Sequence, residues 1–171
     1  MEKSNYRWTI VCYGNILRSQ VLEQYIRHHA RLRGLSIKIN SAGIASPDEF
    51  PDRDRLFKEI SRELDKRSIV HTLHRNPWCD EVERTIMEAT TVFCADLHVK
   101  ETVLERMGDS FDKSKVISFY EAINEGEQDF EDTYDYELKC QDPVRFRNAF
   151  DELERIAIAM VDSLAKVNNE I

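Results

Sequence analysis

Cysteine and arginine side chains are separated by five residues near the amino end of the chain, in the run Cys12-Tyr13-Gly14-Asn15-Ile16-Leu17-Arg18-Ser19. The residues before this run are short and β-rich, as in a buried strand, and those after it have helical spacing. We therefore predict a loop between the carboxyl end of a strand and the amino end of a helix. Unpaired backbone N–H groups and the positive end of the helix dipole favour a phosphate dianion there.

Each residue type in this loop has a use in phosphate chemistry. The helix end and a nearby guanidinium favour the thiolate form of Cys12, which makes it a nucleophile. The planar fork of Arg18 can bind two phosphate oxygens at once, in the ground state and in the transition state. Gly14 lets the backbone approach the anion, Asn15 tolerates a left-handed conformation, and the Ser19 hydroxyl can donate to the departing sulfur.

A second candidate for chemistry is the Asp142-Pro143 pair. Phosphoryl transfer to sulfur expels an alkoxide or phenoxide, so an acid is needed, and the resulting carboxylate can then activate water. Proline stiffens the backbone around the preceding carboxyl group. The same pair is also a common helix start, with Asp as the N-cap and Pro at the first helical position.

The loop resembles the active-site loop of the low-molecular-weight protein tyrosine phosphatases, whose pattern is Cys-x-Gly-Asn-x-x-Arg-Ser. Further landmarks follow in the order that the family has them, and the resemblance covers nearly the whole chain. These landmarks are Ser41-Ala42-Gly43, His71-Thr72-Leu73-His74, Cys94-Ala95-Asp96 and Asp142-Pro143.

The resemblance implies a cysteine-dependent phosphomonoesterase that needs no metal or cofactor. Its substrate would be a phosphotyrosine protein or a small aryl phosphate, and its product inorganic phosphate. By the same resemblance Cys12 is the nucleophile, Arg18 the phosphate clamp and Asp142 the general acid. The phosphate-binding loop would comprise Tyr13, Gly14, Asn15, Ile16, Leu17 and Ser19. A supporting hydrogen-bond network would comprise Asn15, Ser19, Ser41 and His74.

Several positions depart from the family pattern. Leu17 stands where many members have a second cysteine that can protect the nucleophile as a disulfide. Val144 and Arg145 follow Asp142-Pro143, where tyrosines usually flank the substrate ring. Tyr13 could supply one wall for a phenyl ring, and Phe50 is the aromatic residue that the loop after the second strand offers. We therefore expect a weakened aromatic sandwich.

Other activities use similar loops. With Gln20, the loop ends in Arg-Ser-Gln, which is similar to the loop of thioredoxin-coupled arsenate reductases. Their relay needs two further cysteines, and no cysteine follows Cys94 at the expected spacing. We therefore interpret Cys79, Cys94 and Cys140 as structural thiols. Protein arginine phosphatases favour threonine at the position of Ile16, so this residue favours aryl phosphates. A phosphate- or phosphotyrosine-binding module with degenerate catalysis is the alternative from another functional class.

Composition is typical of a small cytoplasmic enzyme. The 171 residues suit one domain spanning 1–171, and no segment is apolar enough for a membrane span or a signal peptide. The four cysteines contain no Cys-x-x-Cys spacing, which argues against a disulfide framework or a zinc ribbon. His28 and His29 lie on a basic helix and are interpreted as a solvated face. The net charge of −8 disfavours nucleic acid as a partner.

Strand patterns alternate with helical patterns, which predicts an α/β fold with a four-stranded parallel sheet in the order 2-1-3-4 and helices on both faces. The strands are predicted at 7–11, 36–41, 91–95 and 115–119. After the first helix, which follows Ser19, further helices are predicted at 51–66, 81–89, 99–107 and 143–167. An acidic insertion at about 120–140, most acidic at 125–137, is expected to be solvated, partly helical and close to the Asp142 loop.

Overall fold

A computed structural model describes residues 6–132 and 142–169 of the chain. The four strands are β1 (Arg7–Cys12), β2 (Lys38–Gly43), β3 (Thr91–Cys94) and β4 (Val116–Ser118). The five α-helices in this part of the chain are α1 (Arg18–Leu32), α2 (Arg53–Lys66), α3 (Asp80–Glu88), α4 (Leu97–Met107) and α5 (Pro143–Asn169). Two short 3-10 helices flank β4, at Lys113–Lys115 and Glu121–Ile123.

The sheet has the order β2-β1-β3-β4, and every neighbouring pair is parallel, which confirms the predicted topology. The chain order reverses direction at β1, which has β2 on one side and β3 on the other. In an open α/β sheet, this switch point is where a crevice forms beyond the carboxyl ends of the strands. The pairing of Cys12 with Gly43 and of Val11 with Cys94 brings three strand ends to this crevice.

Alternation along the strands separates the core into two parts, one on each face of the sheet. Cys12 and Phe93 belong to the larger part, which α1, α2 and α5 cover. Val11 and Cys94 belong to the smaller part, which α3 and α4 cover. The molecule is therefore built in three layers, as predicted.

Helices α1 and α5 form the principal helix pair on the larger side. Tyr25 of α1 and Phe150 of α5 are fully buried there. Polar pairs lie at the edges of this contact: His29 Nε2 lies 3.1 Å from Glu154 Oε1, and Arg33, directly after α1, donates to Asp162 at 2.7 Å. The pairing fixes α1, and so fixes the amino end of α1 that follows Cys12.

Where the element boundaries differ from the predictions, they differ by one or two residues. Strand β2 was predicted from residue 36 but begins at Lys38, because Gly34 at φ +66° and Leu35, which donates to Ala30, still close the end of α1. Helix α2 begins at Arg53 rather than at 51, because Phe50 has φ +64° and reverses the chain just before it. Helix α5 begins at Pro143 as predicted.

The acidic insertion is described as far as residue 132. Its helical part is the short 3-10 helix at Glu121–Ile123, and most of the segment from 124 to 132 is exposed. Phe130 is the exception, since it is buried in the core against Phe119 and Tyr120. The insertion is thus anchored at one aromatic residue. The remainder of the predicted segment, with Tyr134 and Tyr136, lies outside the described residues.

Among the described residues, none of the helices combines the length and the apolar character that crossing a membrane requires.

The packing of α5 generates a stability prediction. Phe150→Ala should lower the free energy of unfolding by about 3–5 kcal/mol, because a fully buried ring is lost and a cavity remains. Val167→Ala is the matched control on the same helix, since Val167 is half-exposed, and should change stability by less than about 0.5 kcal/mol. Urea unfolding followed by circular dichroism measures both. Equal small effects would contradict the described α1–α5 packing.

Candidate active site

The loop from Tyr13 to Leu17 connects β1 to α1, as predicted. Asn15 has φ +52°, a left-handed conformation that asparagine adopts more readily than most residues. Gly43 of β2 lies directly against this loop: a Cβ atom there would be 2.8 Å from the Tyr13 carbonyl oxygen and 2.9 Å from the Asn15 nitrogen. The loop can therefore lie over the end of β2 only because position 43 has no side chain.

The sulfur of Cys12 lies at the base of the loop and is almost completely buried. Ser19 Oγ is 3.0 Å from Sγ, and the backbone N–H of Asn15 donates to Sγ at 3.2 Å. Two polar groups therefore lie against the buried sulfur. The expected Cys12–Ser19 contact is thus present in the structure.

The Asn15 side chain is a hub that connects four segments of the chain. Its amide nitrogen donates to Ser19 Oγ at 2.8 Å and to Ser41 Oγ at 3.0 Å. Its amide oxygen accepts from the Asn76 backbone N–H at 2.7 Å. Gln20 donates to the Asn15 carbonyl oxygen at 3.2 Å. The structure therefore brings Asn15, Ser19 and Ser41 together as the resemblance implied.

The fourth expected network residue, His74, reaches the hub indirectly: its backbone N–H donates to Gln20 Oε1 at 3.4 Å, and its ring lies near a buried carboxylate. Ser41 Oγ donates to Glu23 Oε2 at 2.5 Å, and His74 Nε2 lies 3.8 Å from the same oxygen. Arg27 donates to the other Glu23 oxygen through Nε at 2.9 Å and through Nη2 at 2.7 Å. Glu23 thus links the histidine ring to the loop.

Arg18 is the first residue of α1, and its side chain is almost fully buried at the loop. Its Nη1 donates to Asp96 Oδ2 at 2.6 Å and to the Phe130 carbonyl oxygen at 3.0 Å, while Nη2 lies 3.5 Å from Asp132 Oδ2. Burial lowers the pKa of the guanidinium, but the negative charges of Cys12, Asp132 and Asp96 outweigh burial and leave the pKa raised. Arg18 is therefore a fixed positive charge beside the sulfur.

Asp142 lies at the amino end of α5. Its Oδ1 accepts from the backbone N–H groups of Val144 at 3.0 Å and Arg145 at 3.2 Å. This is the hydrogen bonding of a helix N-cap, the alternative that the sequence left open. The backbone before Asp142 lies outside the described residues.

Two aromatic rings stand beside the loop. The ring of Phe50 is 6.0 Å from the ring of Tyr13, edge to face, and lies over Gly14, where a Cβ atom would be 2.8 Å from Phe50 Cε2. The Arg75 guanidinium stacks on Phe50 at 5.5 Å and donates to the Gly14 carbonyl oxygen at 3.1 Å. An aromatic wall is therefore closer to the loop than the sequence suggested.

The Tyr13 ring is held on its other side as well. Its hydroxyl donates to Glu49 Oε1 at 2.7 Å, and this hydrogen bond is the main cause that raises the pKa of Tyr13. The same bond is the main cause that lowers the pKa of Glu49. His98 stacks on Tyr13 at 6.4 Å. In contrast, Ile16 and Leu17 are buried in the core.

Of the other cysteines that the structure describes, the buried one is not placed for a relay with Cys12. Cys94 is fully buried on the opposite face of the sheet, and burial raises the pKa of its thiol far above the ordinary range. Cys79 is exposed just before α3, and all three described cysteines are free. Cys140 lies outside the described residues. Within the described ranges, no group of three or more His, Cys, Asp and Glu side chains could hold a metal ion.

The sequence analysis did not predict Glu23, Arg75, Asn76 and Asp132 as partners of the loop, and it named Asp96 only as a family landmark. Glu23 carried a weak signal, because it lies one helical turn after Ser19 and an acidic residue on that buried face needs a partner. Asp96 is the N-cap of α4 and directly follows a strand, a common position for site residues. Asp132 carried no local signal, since it lies in a run of acidic residues.

Comparisons with known proteins agree with this architecture. The family profile described as low molecular weight phosphotyrosine protein phosphatase matches residues 7–170. Among curated protein sequences, none matches this chain.

Solved structures share the fold. The arginine phosphatase YwlE, in a mutant with a phosphorylated active-site serine, is similar with a TM-score of 0.75 and 21% identity, covering 93% of this chain and 95% of that one. A low molecular weight phosphotyrosine phosphatase of Vibrio cholerae has a TM-score of 0.73 and 21% identity over 92% of this chain and 95% of its own. A protein tyrosine phosphatase of Entamoeba histolytica has a TM-score of 0.74 and 18% identity, covering 95% of this chain and 97% of its own.

At these identities the solved structures support the fold, whereas the family profile covers nearly every residue of the chain. The chain belongs to the low molecular weight phosphotyrosine protein phosphatase family and is a cysteine-dependent phosphatase.

Proposed function

We propose that the protein hydrolyses phosphotyrosine in proteins, or a related aryl phosphate, through a cysteinyl phosphate. Cys12 Sγ attacks phosphorus while Arg18 binds two of the non-bridging oxygens, and the tyrosine oxygen leaves with a proton. Water then cleaves the S–P bond and releases inorganic phosphate. Ser19 Oγ, at 3.0 Å from Sγ, stabilises the thiolate as attacker and again as leaving group.

The contacts of the buried sulfur support the catalytic part of this proposal. A cysteine that only fills the core has apolar neighbours. In contrast, Cys12 Sγ accepts from the Asn15 N–H, lies 3.0 Å from Ser19 Oγ, and interacts with the charge of a buried guanidinium. Burying these polar groups costs free energy unless they bind something. The same contacts disfavour the alternative of a binding module, which needs no activated thiol.

The aromatic pair supports an aryl phosphate as the substrate. Tyr13 and Phe50 stand at the loop with their rings 6.0 Å apart, and an incoming phenyl ring can pack on either. Phe50 keeps a left-handed backbone at φ +64°, which costs a bulky residue about 1–3 kcal/mol. Contacts with Gly14 and Arg75 hold the ring in this position at the loop. The strained backbone thus places an aromatic ring where the phenyl group of a substrate could pack on it.

Two other activities are weighed against this proposal, and the predictions below test both of them. Phosphoarginine hydrolysis is suggested by the fold neighbour YwlE, but the residue expected to matter, Ile16, is apolar and buried. Arsenate reduction needs a second thiol within reach of Cys12, and Cys94 lies on the other face of the sheet. A phosphorylated protein as partner and a cytoplasmic location are part of the same proposal.

The first prediction concerns the nucleophile. Wild-type protein should hydrolyse phenyl phosphate and phosphotyrosine peptides equally well with and without EDTA, and Cys12→Ser should have no measurable turnover. A serine hydroxyl is protonated at neutral pH, and the mechanism gives it no general base. Cys79→Ser is the matched control because that thiol is exposed and distant in sequence from the loop. Turnover by Cys12→Ser, or faster hydrolysis of phosphoarginine than of phosphotyrosine, would contradict the proposal.

The second prediction concerns the aromatic wall. Phe50→Ala should raise the inhibition constant of phenylphosphonate about 3- to 10-fold, since one aromatic contact contributes about 0.5–1.5 kcal/mol. The inhibition constant of inorganic phosphate, which has no ring, should stay the same. Phe50→Tyr keeps the ring and should behave as wild type. A parallel increase for both inhibitors would mean that Phe50 only supports the loop.

The third prediction concerns redox behaviour. Peroxide should convert Cys12 to sulfenic acid and then to sulfinic or sulfonic acid, because Leu17 is not a thiol and Cys94 is buried on the opposite face. Dithiothreitol should therefore restore little activity. Cys94→Ala should be inactivated at the same rate as wild type. A Cys12–Cys94 disulfide in the mass spectrum, with recovery of activity, would instead favour the reductase alternative.

A further inference from the structure

The proposed mechanism needs a carboxylic acid to protonate the leaving oxygen, and the described residues contain three carboxyl groups to consider. Asp96 and Asp132 lie against Arg18, and Asp142 is the residue that the sequence analysis predicted for this role. Their hydrogen bonds differ enough to separate them. A general acid must carry a proton in the attacking complex and must face the leaving group.

Both oxygens of Asp96 accept hydrogen bonds from within the protein. Its Oδ2 accepts from Arg18 Nη1 at 2.6 Å, and its Oδ1 accepts from the Val99 N–H at 2.8 Å as the N-cap of α4. The side chain is only 17% exposed. Asp96 therefore positions the guanidinium and is largely enclosed by these contacts.

Asp142 is held in a similar way at another helix. Its Oδ1 accepts from two backbone N–H groups of the first turn of α5. These capping bonds direct the carboxyl group along its own helix. Its described contacts are with its own helix.

Asp132 differs from Asp142 because it faces Arg18, and from Asp96 because its side chain is exposed. Its Oδ2 lies 3.5 Å from Arg18 Nη2, on the same guanidinium that is proposed to bind phosphate. Its negative charge also contributes to the raised pKa of Tyr13, after the larger effect of the Glu49 hydrogen bond. The carboxyl group thus lies beside the phosphate clamp, and its side chain is 58% exposed, in contrast to that of Asp96.

The backbone near Asp132 is anchored at the same site. The Phe130 carbonyl oxygen accepts from Arg18 Nη1 at 3.0 Å, and the Phe130 N–H donates to the Ala95 carbonyl oxygen at 2.7 Å. The Phe130 ring is buried in the core. A carboxyl group two residues after such an anchor is kept near the guanidinium although its own side chain is exposed.

We propose that Asp132, and not Asp142, is the general acid of this enzyme. The assignment rests on the proposed phosphatase mechanism. As the Sγ–P bond forms and the P–O bond breaks, the proton of the Asp132 carboxyl group passes to the leaving tyrosine oxygen. In the second step the Asp132 carboxylate takes a proton from the attacking water as the new O–P bond forms. The S–P bond breaks with its electron pair returning to the Cys12 thiolate, and phosphate leaves.

The test is the dependence of kcat/KM on the leaving group, which reports the steps up to formation of the cysteinyl phosphate. Asp132→Asn should lower kcat/KM for phenyl phosphate by about 100-fold or more, since the phenoxide then leaves without a proton. For dinitrophenyl phosphate, whose phenol is far more acidic, the loss should be less than about 10-fold. Glu131→Gln is the matched control: it makes the same change one residue earlier, at a side chain paired with Arg145, and should show no such difference.

Asp142→Asn tests the rival assignment of the general acid, because asparagine keeps the N-cap while removing the acid. We expect its losses with the two esters to be equal. Equal losses for Asp132→Asn with both esters would overturn the assignment, and so would a leaving-group dependence in Asp142→Asn. A gain with both esters in Asp132→Asn would also overturn it, since Asp132 would then only compete with phosphate for Arg18. If wild type failed to hydrolyse either ester through Cys12, the proposed function itself would be wrong.

Discussion

The hydrogen bonds of the Asn15 side chain are the constraint on which the site depends. The loop must turn tightly after Cys12, and Asn15 supplies the left-handed residue that this turn requires. Its amide then ties β2 through Ser41, α1 through Ser19 and the segment after α2 through Asn76. Because the group is fully buried, losing one of these partners would leave a polar atom unsatisfied at about 1–3 kcal/mol. The loop is thus held in shape before any anion binds.

A buried positive charge is the second requirement, and it explains why acidic residues surround the site. The guanidinium of Arg18 is 3% exposed, so it must be compensated in the absence of phosphate. Asp96 and the Phe130 carbonyl group compensate Nη1, and Asp132 lies near Nη2. Substrate phosphate then has to compete mainly with the exposed carboxyl group rather than with the buried one. An acidic protein with a net charge of −8 can therefore still bind a dianion.

The sequence predicted the elements and the loop well because both depend on local patterns. Apolar runs and helical spacing indicate strands and helices, and short crossovers then fix the order β2-β1-β3-β4. Contacts between distant segments were not predictable in the same way. Phe50 reaches Gly14 only because a positive φ directs the chain back toward the loop. Likewise, the Asp142-Pro143 pattern fits both a helix cap and a stiff acid loop, and the capping hydrogen bonds of Asp142 appear only in the structure.

Strand alternation has a chemical consequence that composition alone does not suggest. Val11 pairs with Cys94, so the next residue, Cys12, points to the opposite face of the sheet. The two thiols are close along the sheet, yet the backbone of the sheet separates them. A disulfide needs Cβ atoms about 3.5–4.5 Å apart with suitable directions, and side chains on opposite faces cannot provide these. The alternation that places Cys12 beside Ser19 and Arg18 for phosphate chemistry therefore also isolates it from the nearest buried thiol.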